Sequence, residues 1–321
     1  MDLSVIIPVY NAEKTLKNSL ESLMHQGKTD FSWEIVAVND GSTDGSLAIL
    51  REYEQKAKDA GIPFRVLTRE NRGVARTRNE GLDEASGECV LYLDADDILY
   101  VGALQKAMTK KREKKAQILL FDSEYLYADK STSPLEMARH PGGRMNTRDY
   151  MLSEPCPWNK VIDKDLFTQN GFRFKEDIWY EDFAVIPALG TACREDGIYY
   201  LKETLHRYFQ SENSITRSAY SEKKRDIFPA LEALMHAAKG RETEVEYLAW
   251  LHLYRNFAWI FWEAGDLDAI RKANAFMKKN FPNWKKNPLI RQRHTTKEHA
   301  VALLFYGEWF WLIRIWKGKQ K

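Results

Sequence analysis

Apolar residues in the first hundred positions come in short, nearly continuous runs. Leu3-Ser4-Val5-Ile6-Ile7, Glu34-Ile35-Val36-Ala37-Val38, Phe64-Arg65-Val66-Leu67 and Cys89-Val90-Leu91-Tyr92-Leu93 each have the length and apolar content of a strand covered on both faces. The stretches between them change period. Leu16, Leu20 and Leu23 mark one face of a helix from about Ala12 to His25, and further helices are expected from Ser46 to Lys58 and from Arg76 to Ala85. Strands alternating with helical crossovers predict an α/β fold, a Rossmann-like and mainly parallel sheet with helices on both faces. Tyr125 to Arg148 is polar and glycine-containing, and reads as a loop-rich excursion. From Tyr220 the pattern turns helical and rich in tryptophan, so a boundary is placed between residues 219 and 220.

In such sheets a ligand binds beyond the carboxyl ends of the strands. Here those ends are Pro8-Val9-Tyr10-Asn11, then Asn39-Asp40-Gly41-Ser42-Thr43-Asp44-Gly45-Ser46, then Asp94-Ala95-Asp96-Asp97. Carboxylates at a strand end are hard oxygen ligands suited to Mg²⁺ or Mn²⁺, although aspartates also serve as turn and helix-cap residues. The glycines around Asp40 allow a tight backbone path, and its carboxylate can accept from a nucleobase N–H; a plain strand-to-helix turn explains the same residues. Arginines within Asn71-Arg72-Gly73-Val74-Ala75-Arg76-Thr77-Arg78-Asn79 can meet diphosphate oxygens at a helix start, or form a solvated helix face. Glu181-Asp182 follows Trp179-Tyr180, an apolar setting that raises a carboxylate toward the general-base range; acidic residues are also common at helix starts.

The order of these motifs resembles the family 2 glycosyltransferases, over about residues 1 to 215, with Trp158-Asn159-Lys160 as a waypoint before Glu181-Asp182. The resemblance implies a GT-A fold and an inverting enzyme of the bacterial surface-polysaccharide type. It implies a nucleotide-sugar half at about 1–115 and an acceptor half at about 116–219, followed by a helical region over 220–321. Pro8, Val9, Tyr10, Asn11 and Asp40 would frame the nucleoside, usually uridine. Arg72 and Asn79 would lie beside the nucleotide or shape its loop, and Asp94 and Ala95 would complete the nucleotide contacts. Asp96, with Asp94, would hold Mn²⁺ or Mg²⁺. Asp182 would be the base, with Glu181 beside it. One departure concerns the basic residue or histidine that relatives carry near here, whose position falls on Ser211, with His206 and Arg207 out of register.

The expected reaction moves a sugar from a nucleotide diphosphate, a UDP-sugar foremost, to the hydroxyl of a carbohydrate or lipid-linked glycan. A sugar nucleotidylyltransferase and a noncatalytic nucleotide-sugar-binding protein remain as alternatives. The former normally has a glycine-rich basic loop where this chain has Pro8-Val9-Tyr10-Asn11. No GxxxxGK pattern occurs, which argues against an ATPase.

Composition adds two points. With 44% hydrophobic and 29% charged residues the 321-residue chain is an ordinary folding sequence, and its three scattered cysteines suit a reducing, cytoplasmic compartment. Neither a signal peptide nor an apolar run of spanning length is apparent. The net charge of +2 conceals a split: from Arg271 to Lys321, 13 lysines and arginines face only Glu298 and Glu308, so that tail carries +11 and the remainder −9. The stretch from Ala300 to Trp316 is apolar and tryptophan-rich. It reads as an amphipathic helix over 300–321 lying on the inner face of a membrane, or as a helix packed within the protein or against a second copy. Its aromatic content and the acidic remainder disfavour nucleic acid.

Overall fold

The computed structural model describes residues 1–210 and 220–318, so Ser211 falls outside the described residues. Those residues form two compact units. The first runs to Asp177 and resumes at Glu181 through the last strand; the second holds Ile178–Tyr180 and the helical region that ends the chain.

The first unit is built on ten strands: β1 (Leu3–Val9), β2 (Trp33–Asp40), β3 (Phe64–Arg69), β4 (Cys89–Tyr92), β5 (Ile98–Leu99), β6 (Ile118–Leu126), β7 (Thr132–Leu135), β8 (Gly143–Met145), β9 (Lys160–Asp163) and β10 (Ile198–Phe209). Their order is β3-β2-β1-β4-β9-β6-β10-β5, with β7 on β6 and β8 on β10. The β3-β2-β1-β4 half is parallel throughout, as the apolar runs predict. β9 runs antiparallel to both β4 and β6 and makes the sheet mixed. Four residues are too few to show a period, which hid β9 in the sequence. The excursion after Tyr125 likewise contains β7 and β8.

Seven helices serve this sheet: α1 (Leu16–Met24), α2 (Ser46–Asp59), α3 (Val74–Glu84), α4 (Ala103–Lys114), α5 (Thr147–Met151), α6 (Lys164–Thr168) and α7 (Glu181–Leu189). Both faces of β1 are covered. Val5 and Ile7 pack with Leu16, Leu20 and Leu50 on one side, while Ile6 packs with Ala75 and Leu82 on the other. Every β1 residue is buried, which explains why its sequence does not alternate.

The second unit is helical: α8 (Ile227–Ala237), α9 (Glu242–Trp250), α10 (Ala258–Glu263), α11 (Leu267–Asn280), α12 (Pro288–Arg293), α13 (Thr296–Tyr306) and α14 (Phe310–Gly318), with a π-helical stretch at Leu251–Phe257. Trp250, Trp284 and Tyr254 are in its core, and the Tyr254 hydroxyl donates to Asn274 Oδ1 at 3.0 Å. The tail differs from the expected single helix. α13 opens on a capping box in which Thr295 and Glu298 satisfy each other's backbone N–H. It stops at Gly307, Glu308 takes a φ of 57°, and α14 begins afresh. No helix among the described residues is long and apolar enough to cross a membrane.

Candidate active site

The ends of β1 and β2 are tied together by short polar side chains. Asn11, at a φ of 47°, accepts from Thr43 N at 2.9 Å, and its own N–H donates to Ser42 Oγ at 3.0 Å. Pro8 and Val9 lie inside the sheet, whereas Tyr10 is 53% exposed on this edge. Asp40 is turned toward the protein. Its Oδ1 accepts from Arg72 N at 2.9 Å and lies 3.1 Å from an Arg69 guanidinium nitrogen; its Oδ2 accepts from Gly73 N at 2.8 Å. Three of its four lone-pair directions are thus taken. The expected nucleobase acceptor chiefly fixes the turn between β3 and α3, leaving the Arg72 side chain exposed on the same edge. Gly41 permits this closeness: its φ is 68°, and a Cβ there would sit 2.6 Å from Asn71 N.

Arg78, buried in α3, is the hub of the site. One terminal nitrogen donates to Asp94 Oδ1 at 2.9 Å, and the other pairs with Glu181 at the start of α7. It thereby ties the acidic loop after β4 to the helix that carries Asp182. Glu181 is accordingly a buried ion-pair partner, not a free base. Asp182 keeps partial solvent access, and its Oδ1 accepts from the adjacent Phe183 N–H at 2.7 Å. Burial, then the Glu181 charge, push its pKa up to about 7, against the pull of Arg78.

Within the acidic loop the three aspartates behave differently. Asp97 is fully buried; Oδ1 accepts from Phe209 N at 2.9 Å, and Oδ2 lies 3.1 Å from His206 Nε2 without the alignment of a hydrogen bond. Burial favours the neutral form of both Asp97 and His206. Ala95 is buried beneath the loop. Asp96 has no side-chain partner among the described residues, and burial, then the neighbouring Asp97 and Asp94 carboxylates, push it up to about 7.

Two further sets of residues shape this edge. Asn79 grips the Phe174 backbone with both ends of its amide, at 2.8 and 2.9 Å, and so supports the segment leading to α7 rather than touching the edge itself. Lys160 is wholly buried and donates to Glu154 O, Cys156 O and Asn159 Oδ1 at 2.8, 2.8 and 2.6 Å. That folded loop holds Trp158 in stacked contact with His206, ring centroids 4.5 Å apart, and with Tyr208 at 5.4 Å. The roles of Arg78 and Asp97 were missed in the sequence. Ala75, Arg78 and Leu82 share the inward stripe of α3, and a charge on that stripe is the signal of a buried pair.

The family model for glycosyl transferase family 2 matches residues 4–169. The chain belongs to this family. Its surface-polysaccharide branch is represented among the similar proteins. Escherichia coli YibD, described as an uncharacterized glycosyltransferase, is 27% identical over 67% of this chain and 63% of its own length. The poly(ribitol-phosphate) β-N-acetylglucosaminyltransferase TarS of Staphylococcus aureus is 35% identical over 37% of this chain and 20% of its own. The chain thus spans less than two thirds of the length of these relatives. A crystal structure of S. aureus TarS residues 1–349 with UDP-GlcNAc superposes with a TM-score of 0.76 at 21% identity, over 95% of this chain and 89% of that one. The likeness establishes the GT-A fold.

For a family 2 chain the donor set at Asp94 and Asp96 can be tested against a divalent cation. No group of three or more histidine, cysteine or acidic side chains converges among the described residues. What is present is Asp96, beside other carboxylates and without a side-chain partner among the described residues, next to Asp94, which has committed one oxygen to Arg78. Two carboxylates fit Mg²⁺ or Mn²⁺, which retain waters and take phosphate oxygens for the rest of their shell.

Proposed function

We propose that this chain is an inverting glycosyltransferase that moves a sugar from a nucleotide diphosphate, foremost UDP-GlcNAc, to a glycan hydroxyl in surface-polysaccharide synthesis. The observation that carries this reading is Asp182: a carboxylate raised to about 7, linked through Glu181 and Arg78 to the Asp94–Asp96 loop. The donor is suggested by the solved relative, which binds UDP-GlcNAc.

Asp182 accepts the proton as the acceptor oxygen bonds to the anomeric carbon and the bond to the diphosphate breaks on the opposite face. One displacement inverts the centre, and no covalent sugar–enzyme bond is required. Arg78 positions Asp182 and the acidic loop in fixed relation, and its charge is fully engaged in doing so. Exposed Tyr10 offers a face for the base, with exposed Arg72 on the same edge. Asp96 and Asp94 would hold a divalent cation, which when bound offsets the charge developing on the leaving diphosphate.

Calorimetric titration with a panel of UDP- and GDP-sugars, with and without Mn²⁺, tests the donor half. At least one nucleotide sugar should bind in a cation-dependent manner, and Asp96→Ala should abolish the cation dependence without lowering the unfolding temperature. Absence of binding by the whole panel would remove the glycosyltransferase reading. Cation-independent binding would remove the metal alone.

A further inference from the structure

We propose that the end of the second unit is a docking surface for an anionic lipid bilayer. The proposal rests on that unit alone and stands apart from the reaction assigned above.

α14 is apolar on two sides. Ile313 is fully buried, whereas Trp311 and Ile315 are 63% and 50% exposed. At 100° per residue, positions 311 and 315 lie on one face and 313 on nearly the opposite one. One face of α14 is therefore packed, and the other carries Trp311 and Ile315 unburied among the described residues. Trp309, in the turn before the helix, is also 53% exposed. The unit does not lack aromatic residues for its core, since Trp250 and Trp284 are already buried there. Large exposed apolar side chains grouped in this way mark an interaction surface.

The charge of the same stretch of chain decides what that surface meets. Tyr306, just before the break, has the Lys285 and Lys278 ammonium groups over its ring at 5.0 and 5.6 Å. Lys279 and Lys286 beside them are exposed as well. The excess of 13 basic residues over two acidic ones from Arg271 to Lys321 gives the region one sign. A second copy would bring the same positive charge against itself, which like-charge repulsion opposes. An anionic bilayer matches both features: tryptophan favours the interface between headgroups and acyl chains, and lysine and arginine are drawn to acidic lipid. With no spanning helix among the described residues, this contact lies in the plane of the interface.

Flotation of the full chain with phosphatidylcholine vesicles, with and without phosphatidylglycerol, tests the proposal. Binding should require the anionic lipid and weaken with salt. The combined Trp309→Ala, Trp311→Ala and Ile315→Ala variant should bind at least about tenfold more weakly, as should Lys278→Glu with Lys285→Glu. The unfolding temperature and scattering mass are measured alongside. Should a variant prove unstable, quenching of wild-type tryptophan fluorescence by brominated lipid, reduced in Trp309→Phe with Trp311→Phe, gives the same answer. Equal recovery with neutral and anionic vesicles, or undiminished binding by the triple variant, overturns the proposal. So does a fall in oligomer mass, or a loss of RNA binding, in a triple variant whose wild-type parent does not float.

Discussion

Arg78 carries more of the site than any carboxylate it touches. Its side chain is 6% exposed and holds Asp94 and Glu181, which would otherwise face each other in a poorly solvated space. Removing one member of a buried ionic group leaves the others uncompensated, at about 3–5 kcal/mol. Arg78→Ala should therefore unfold at markedly lower denaturant, and donor turnover should fall because the acidic loop and α7 lose their common tie. Chemical denaturation checks the first effect; stability within about 1 kcal/mol of the parent would show that the pair contributes little. At this scale the sequence was legible in residue type more than in role. The run Asn71 to Asn79 lies at the start of α3 as read, with the Arg72 side chain exposed there. But three of its polar groups, Arg78, Asn79 and the Arg72 N–H, face inward to protein partners. Single-residue patterns do not show which side of a helix or turn a group faces until its neighbours in space are known.

Among the elements, α3 carries the sharpest packing constraint. Gly81 sits where the helix meets β1, and a Cβ there would lie 2.3 Å from Ile6 Cγ2. Alanine at an unconstrained helical site would gain up to about 1 kcal/mol over glycine. Here the clash should reverse the sign, with Gly81→Ala losing about 1–3 kcal/mol through overpacking. A thermal melt showing a stabilised variant would mean that α3 can move off the sheet freely. The parallel half, β1 to β4 with α1 to α3, was readable within a few residues of each end, because strands buried on both faces give unmistakable apolar runs. β9 and the pair β7 and β8 were not. They are four, four and three residues long and are placed by partners distant in sequence, β9 by β4 and β6. The tail was apolar enough to be noticed, but the positive φ at Glu308 that splits it was not visible in composition.

Across the whole molecule, charge and chemistry are separated along the chain. The net acidic part of the chain precedes Arg271 and holds Asp94, Asp96 and Asp182, and the basic excess lies in residues 271–321. Family membership was legible from the order of the strand-end motifs, whereas the sugar and the acceptor depend on shapes no motif encodes. The central claim is that Asp182 takes the acceptor proton, and the pH–rate profile of turnover tests it most directly. Only the ionised carboxylate can accept, so kcat/KM for nucleotide-sugar turnover should be full above the Asp182 pKa. It should fall as pH drops through about 7. Asp182→Asn should keep donor affinity, lose at least about a hundredfold in turnover and lose that acid limb. Turnover by Asp182→Asn within about tenfold of the parent, with the same acid limb, would contradict the account.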